Sequence, residues 1–351
     1  MITDIHLENF RSYTNESFEF TGGVNIIVGP NASGKTNLLE SILLICRGKS
    51  YRAKDLDLMR YKKPWLRLEA HTDNNFDRIV YMNNDADTLK KEFEINSQHY
   101  KRLPFAKTIP VVLFEPNDLT IISGSPEKRR QFLDNILEQT VVGFASTGRR
   151  YKQALAQRNA LLKQNHQTGK QLFVWDIQLS ELGSKITDQR KELIKTINNL
   201  ASNLYNNVTG GTNKVLFEYN SSVTGDDYAS KLIHLLEEDI NIDQARGFTG
   251  HGPHRDELTV YLNKHKSSES ASRGELRTLM LVCKFIEAEL LKMAREESPL
   301  LLLDDVFSEL DGSRRKSLTT FLKTYQTFIT TTDADVVIQH FTESANIIAL
   351  G

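Results

Sequence analysis

Apolar and polar positions alternate over residues 2–8 and again over 17–20, with Asn9, Arg11 and Ser12 between them, which predicts a β-hairpin at the start of the chain. Val24-Asn25-Ile26-Ile27-Val28 is a continuous apolar run closed by Gly29-Pro30, the pattern of a buried strand. Residues 35–46 carry apolar side chains at 38, 39, 42, 43, 45 and 46, which predicts a packed helix. Residues 65–114 alternate between turn signals at Asn74-Asn75 and Asn83-Asn84-Asp85, so an antiparallel sheet is expected, closing with Pro110-Val111-Val112-Leu113-Phe114. From residue 125 the pattern turns helical for about eighty residues, with one turn expected at 165–169. Beyond it Leu172, Trp175, Leu179, Leu182, Ile186, Leu193, Ile197, Leu200 and Leu204 repeat in steps of three and four, broken only by polar 189/190. Tyr151, Leu155 and Leu162 offer a shorter partner stripe, so a coiled-coil hairpin and a helical bundle packed on the main body both fit. Residues 210–225, rich in Gly, Ser, Thr and Asn, read as linker or turns, residues 250–260 lead back into strand, and residues 276–295 form an amphipathic helix.

A chain of 351 residues with 44 basic and 45 acidic side chains and 39% hydrophobic content fits a soluble protein of two domains. Three segments are expected: 1–122 and 249–351 as the two parts of one α/β lobe, and 123–248 as an inserted, mainly helical arm. Apolar runs such as residues 42–46 and 300–303 are too short to span a bilayer. The early Asp4, His6 and Glu8 argue against a signal peptide. Cys46 and Cys283 lie far apart without metal-site spacing, which suits a reducing, cytoplasmic setting. The net charge of −1 conceals local bias. Arg47, Lys49, Arg52, Lys54, Arg60, Lys62, Lys63 and Arg67 face only Asp55 and Asp57 in their segment, while residues 217–245 hold seven acids against Lys231.

Gly29-Pro30-Asn31-Ala32-Ser33-Gly34-Lys35-Thr36 matches GxxxxGK[ST] in full, between an expected strand and helix. That spacing lets successive backbone amides turn inward around phosphate oxygens at a helix N-terminus, sends Lys35 to the β and γ phosphates and turns the Thr36 hydroxyl to Mg²⁺. Leu300-Leu301-Leu302-Leu303-Asp304-Asp305 has the form of a Walker B strand. Asp304 is expected to help hold Mg²⁺, and Asp305 to orient or deprotonate the attacking water. Because far more chain separates Lys35 from Asp304 than a compact nucleotide fold requires, an insertion is expected between them.

Ser272-Arg273-Gly274-Glu275 precedes the amphipathic helix and by itself reads as an ordinary N-cap. Together with the other two segments it resembles the ABC signature, and Ser308-Glu309-Leu310-Asp311 resembles the D-loop. The chain as a whole resembles the RecF family of SMC-like ATPases. The likeness rests on Leu7-Glu8-Asn9-Phe10-Arg11-Ser12-Tyr13, the glycine loop with Asn37, Ser50-Tyr51-Arg52, Phe114-Glu115-Pro116, Gly124-Ser125-Pro126 with Arg129-Arg130, Arg158-Asn159-Ala160-Leu161-Leu162, Gly252-Pro253-His254-Arg255-Asp256 and the Asp304-to-Asp311 segment. This resemblance implies an ABC-type ATPase head, a mixed sheet with helices, carrying an inserted helical arm. It implies a homodimer formed on ATP, with Ser272, Gly274, Glu275, Ser308 and Asp311 serving the partner head's nucleotide. It implies binding to duplex, gapped or junction DNA and action with RecR, RecO and RecA in recombinational repair and replication restart.

The family signature resembles SxGQQR, whereas Glu275 and Leu276 stand before Arg277 here; no switch histidine follows residues 329–333, where Thr332 lies near its place; and no glutamine marks the Q-loop, where Glu115 or Asn117 stands. Slow, DNA-stimulated ATP hydrolysis acting as a timer for DNA release is therefore expected. A transport-type ABC head is disfavoured by the missing histidine and the long insertion, and an SMC tether by the arm's short reach. His251, His254 and Asp256 lack a fourth ligand, so a loop role is preferred to a metal site. Arg11 is a candidate for the nucleotide. Arg52, Lys54, Lys62, Lys63, Arg129, Arg130, Arg149 and Arg150 are candidates for DNA phosphates, to be bound without base readout.

Overall fold

The computed structural model describes residues 1–73, 77–85, 88–164, 169–333, 339, 341 and 345–351. The chain divides into two compact units, Met1–Asp118 with Glu287–Gly351, and Leu119–Ile286. This differs from the three sequence segments at both boundaries, since residues 119–122 also fall in the second unit. Residues 249–286 fall in the second unit, so the signature segment belongs with the helical arm instead of with the Walker B strand.

The first unit is built on two sheets with a helix between them. Five parallel strands run in the order Asn346–Ala349, Val24–Val28, Thr327–Thr331, Leu300–Asp304, Val111–Phe114. A six-stranded antiparallel sheet runs Tyr13–Glu19, Ile2–Phe10, Trp65–Thr72, Arg78–Asp85, Thr88–Ile95, Gln98–Tyr100. The expected opening hairpin is present, with Phe10 paired to Tyr13 across the turn. The antiparallel sheet ends earlier than the alternation suggested. Val111–Phe114 joins the parallel sheet beside Leu300–Asp304, because a short strand apolar at every position is suited to burial on both faces. The Asn74-Asn75 turn lies outside the described residues.

Helix Lys35–Arg47 is buried over nearly all of its surface, which explains why its apolar positions exceed one face. Leu38, Leu39, Ile42 and Cys46 share one core with Ile5, Leu7, Leu68 and Met82 of the antiparallel sheet and with Ile27, Leu302 and Phe328 of the parallel sheet. Burying each such side chain contributes roughly 1.5–3 kcal/mol, enough for this core to fix the helix between the sheets.

The second unit contains helices Pro126–Thr140, Phe144–Leu162 and Gly169–Thr209, with a break at 141–143 that the helical pattern did not reveal. Gly143, at φ 84°, opens the second of these helices. Most of the expected turn at 165–169 lies outside the described residues, and Gly169 already begins the long helix. Leu172, Leu179, Leu182, Ile186, Leu193 and Ile197 are buried as the stripe predicts. The facing stripe on Phe144–Leu162 is Tyr151, Ala154, Arg158 and Leu162. The supposed linker holds strand Val215–Asn220, paired antiparallel with Glu257–Leu262, and Asn198 donates to Phe217 O at 2.9 Å and accepts from Phe217 N at 2.8 Å. Between the two alternatives, this is a helical bundle closed by a small sheet within the arm unit itself.

Buried ions organise this unit. Arg158 is fully buried and donates to Asp176 at 2.6 Å, Asp243 at 2.6 Å, Thr249 Oγ1 at 3.0 Å and Leu236 O at 3.2 Å. Asn159 accepts from Thr249 N and Oγ1, so both polar residues of the Arg158-Asn159 segment tie helix to loop. Arg190, at the polar step of the stripe, clamps Asp134 through two 2.9 Å bonds and donates to Pro253 O at 2.7 Å. His251 contacts Asp239, His254 Nδ1 lies 2.8 Å from the Tyr151 hydroxyl, and Asp256 accepts from Tyr219 and Ser222 N. The Gly-Pro-His-Arg-Asp segment is thus a structural loop, and no cluster of metal-ligating side chains occurs among the described residues.

Arg158→Met should destabilise the protein by about 3–5 kcal/mol, since Asp176 and Asp243 would stay buried without their cation. Urea unfolding measures this, and a loss below about 1 kcal/mol would show the network to be dispensable. Burial, reinforced by the positive charges of Arg255, Arg130 and Arg158, pushes His254 down to about 4 from its ordinary 6.5. The unfolded chain therefore takes up this proton first as pH falls. Stability is full above about 6.5 and drops by roughly 3 kcal/mol as pH descends to about 4. A chemical-denaturation series across that window should show a shallower decline in His254→Gln than in the parent.

Candidate active site

The strand Val24–Val28 ends at Gly29 and the loop re-enters the helix at Lys35, with Ala32 at φ 68° and Gly34 at φ 102°. These left-handed residues turn the backbone inward. A Cβ on Gly34 would come within 2.9 Å of the Tyr13 hydroxyl, and that hydroxyl donates to Gly34 O at 3.1 Å, so the hairpin of the antiparallel sheet braces the loop. The first amides of helix Lys35–Arg47 have no intrahelical acceptor and face the loop with the positive end of the helix dipole. Lys35 is buried and donates to Gly29 O at 2.7 Å and Pro30 O at 2.8 Å, which holds its ammonium inside the loop. Ser33 Oγ is buried without a hydrogen-bond partner, an unmet group of the kind that a phosphate oxygen would satisfy.

Asp304 reaches this loop from the parallel sheet. Thr36 Oγ1 donates to Asp304 Oδ1 at 2.9 Å and Thr330 Oγ1 donates to the same oxygen at 2.8 Å, while the Tyr51 hydroxyl lies 3.4 Å from Oδ2. Three hydroxyls therefore orient one carboxylate. The Thr36–Asp304 pair is a hydroxyl and a carboxylate held together beside the lysine, the donor set that suits Mg²⁺. Asp305 follows at φ 51°, a left-handed turn uncommon for a side-chain-bearing residue, pinned by Asp305 N donating to Thr330 Oγ1 at 3.0 Å. Burial and the neighbouring Asp304 raise its pKa above the ordinary carboxylate value, a direction that suits proton handling. Ser308 Oγ donates to Asp305 O at 2.8 Å, and Asp311 caps helix Gly312–Leu322 by accepting from Arg314 N.

A buried carboxylate, Glu40, lies one turn into the helix. Arg11 donates to it through Nε at 2.9 Å and Nη2 at 3.0 Å, Arg52 at 3.1 Å and Ser50 at 2.5 Å. Burial alone would raise the pKa of Glu40, but these donors hold it below the ordinary range. Arg52 also donates to Asn37 Oδ1 at 2.6 Å, which places it beside the glycine loop, not on a separate basic face. Arg11 is likewise committed to Glu40 and to Asp57 O. Of the other cationic candidates, Lys54, Lys62, Lys63, Arg149 and Arg150 are exposed. Arg129 is held by Glu257 at 2.6 Å and Gly124 O at 2.6 Å, and Arg130 by Asp256 O at 2.8 Å, so these two serve the arm's own packing.

Ser272, Gly274 and Glu275, in the arm unit, open helix Arg273–Arg295. Glu275 Oε2 accepts from Ser272 N and Ser272 Oγ, both at 2.8 Å, while Glu275 N lies 3.3 Å from Ser272 Oγ. This is a capping box, which requires Ser followed three residues later by Glu. Both donors hold Glu275 below the ordinary carboxylate pKa.

Sequence reasoning missed Thr330 and Glu40. The threonine run at 330–332 was visible, but only the parallel register shows that Thr330 sits in the row of Ile27 and Asp304 while Thr332 lies past the strand end. Glu115 follows the Phe114–Leu303 pair and so lies beside Asp304, whereas the side chain of Asn117 is outside those described.

The chain matches the family model described as RecF/RecN/SMC N-terminal domain over residues 1–348. It is 34% identical to the DNA replication and repair protein RecF of Clostridium perfringens over 99% of this chain and 97% of that protein. Identity to the RecF protein of Natranaerobius thermophilus is 35%, over 95% and 92% of the two chains. Among solved structures it is similar to the recombination mediator protein RecF with ATPrS, in the RecFOR pathway, at TM-score 0.86 and 28% identity over 96% of this chain and 94% of that one. An Smc head bound to the C-terminal winged-helix domain of ScpA, at TM-score 0.53 and 16% identity over 97% and 92%, shows the shared head fold alone. Matched over nearly its whole length by the family model and by these RecF relatives, the chain belongs to the RecF family of SMC-like ATPases.

Proposed function

We propose that this protein is an ATP-dependent DNA-binding recombination mediator that dimerises on ATP, binds gapped or duplex-junction DNA and helps RecA loading together with RecR and RecO. The observation that carries the reading is the 2.9 Å contact of Thr36 with Asp304, which brings the two halves of a nucleotide site together across most of the chain. The unpartnered Ser33 hydroxyl, the inward Lys35 and the free amides of the helix suit a triphosphate, and Thr36 with Asp304 would hold Mg²⁺. Bound there, the metal supplies positive charge to the phosphate oxygens. The chain's own contributions are Lys35, which binds the phosphates, Asp305, which accepts a proton from the attacking water, and Thr330 and Tyr51, which keep Asp304 aimed.

The solved relatives whose names include ATPrS and ATP support the nucleotide assignment. Ser272 is assigned to the nucleotide of a second copy, and there its helix start offers a hydroxyl and amides to the γ-phosphate. In the isolated chain Glu275 satisfies the same hydroxyl, so ATP has to displace a carboxylate from the serine. DNA would be held through its phosphates by exposed Lys54, Lys62, Lys63, Arg149 and Arg150, with Arg52 near the nucleotide.

Sedimentation velocity of the parent with ATP, with ADP and with ATP plus gapped DNA should show a dimer with ATP and a monomer with ADP. Lys35→Met should remain monomeric in every condition without DNA. A parent that stays monomeric at saturating ATP and Mg²⁺ overturns the proposal. Asp305→Asn should lower ATP hydrolysis by about 100-fold or more while ATP-driven dimerisation persists, because the residue acts on the water and not on nucleotide binding. Retention of parental turnover, measured by phosphate release, would remove Asp305 from the chemistry.

A further inference from the structure

The first unit contains a second recess, a cavity of about 550 Å³ that opens where the strands Leu300–Asp304 and Thr327–Thr331 begin, the edge of the parallel sheet opposite the glycine loop. Arg78, Lys107, Lys323, Glu297, Asp73 and Tyr325 are among its lining side chains. Apolar walls come from Ile2, Ile95, Ile109 and Leu300. Its size falls within the range of small-ligand sites, and such sites combine apolar walls with a few convergent polar groups.

Arg78 is the unusual member. It is 6% exposed, yet among the described residues it makes no ion pair, and its hydrogen bonds there run from Nη2 to Lys107 O at 2.6 Å and to Ile45 O at 3.3 Å. Nε is buried without a partner. Burial lowers its pKa, with Cys46 and then Glu297 acting in the opposite sense. Of the two acids lining it, Asp73 is already engaged at 2.7 Å by the Met1 amine, and no ion pair of Glu297 with Arg78 is found among the described residues. A buried cation without a counter-ion is costly, and native structures normally neutralise one with a partner or a bound ion. Lys323, exposed at the rim, adds positive charge above the same recess.

We propose that this cavity is a binding site for a small oxyanion, a phosphate or a carboxylate, with Arg78 as its buried ligand and Lys323 at its mouth. Nη2 is taken by the two carbonyls, which leaves the unmet Nε–H of the guanidinium to donate to an oxygen of such a group, and the apolar walls accept any organic remainder. The site is separate from the glycine loop and does not depend on the nucleotide reading.

Thermal unfolding in the Lys35→Met background, with the glycine loop impaired, tests it with two probes, inorganic phosphate and citrate, at millimolar concentration. Each probe that binds should raise the midpoint by several degrees, and the two series separate phosphate from carboxylate as the preferred group. Arg78→Gln should abolish the rise, Lys323→Gln should weaken anion affinity several-fold, and Glu297→Gln should strengthen it. If Arg78 only braces the carbonyls of Ile45 and Lys107, Arg78→Gln lowers the midpoint without the anion and leaves the rise intact, which overturns the proposal. No rise with either probe in Lys35→Met overturns it as well. Should Arg78→Gln fail to fold, an unchanged affinity in both Lys323→Gln and Glu297→Gln does the same.

Discussion

The active site depends on register in one parallel sheet. Ile27, Thr330 and Asp304 lie in a single row across three strands, so the carboxylate emerges level with the start of the glycine loop. A slip by one residue would turn Asp304 to the other face and remove both of its threonine donors. Apolar strands buried on both faces secure that register, since Leu301, Leu302, Leu303, Phe328 and Ile329 are all fully buried. The site sits at the carboxyl ends of the strands, where open α/β sheets place their ligands. The antiparallel sheet contributes from the side, through Tyr13 against Gly34 and Arg11 against Glu40.

Charges inside the protein serve position more than net stability. Glu40 is enclosed by two arginines and a serine and ties the first turns of the glycine-loop helix to the segments carrying Arg11 and Arg52. Arg158 and Arg190 play the equivalent part in the arm, each joining a helix to loops far away in sequence. Replacing such groups by apolar ones of the same shape could cost little, whereas removing one partner strands the other in a poorly solvating interior. That asymmetry gives a physical reason for the polar segments scattered along the chain. The Arg158-Asn159 and Gly252-to-Asp256 segments, far apart in sequence, converge on Thr249 and its neighbours.

The exposed helix start at Ser272 differs from the glycine loop in kind. Its serine hydroxyl is satisfied within the chain by the capping box, whereas the loop keeps the buried Ser33 hydroxyl unmet. One element is complete without a ligand and the other is not. The glycine loop is thus prepared for an anion in a single chain, and the serine must exchange one partner for another.

Local patterning determined a good deal by itself. The strand-loop-helix around Lys35 was legible because glycine positions, an apolar strand and helical spacing are all short-range constraints, and the long-helix stripe was legible for the same reason. The capping box at Ser272 and Glu275 was present in the sequence as an N-cap with its acid three residues on. Tertiary structure decided what required a distant partner. Val111–Phe114 was expected to close the antiparallel sheet, and only pairing with Leu300–Asp304 placed it in the parallel one. Val215–Asn220 read as linker because its polar flanks hid a strand that Glu257–Leu262 completes. Arg129 looked as available to DNA as Arg149, until folding gave it Glu257. Glu40 and Thr330 carry no local mark of their role, since a carboxylate in a helix and a threonine in a strand acquire their meaning from groups that the fold brings within hydrogen-bonding distance.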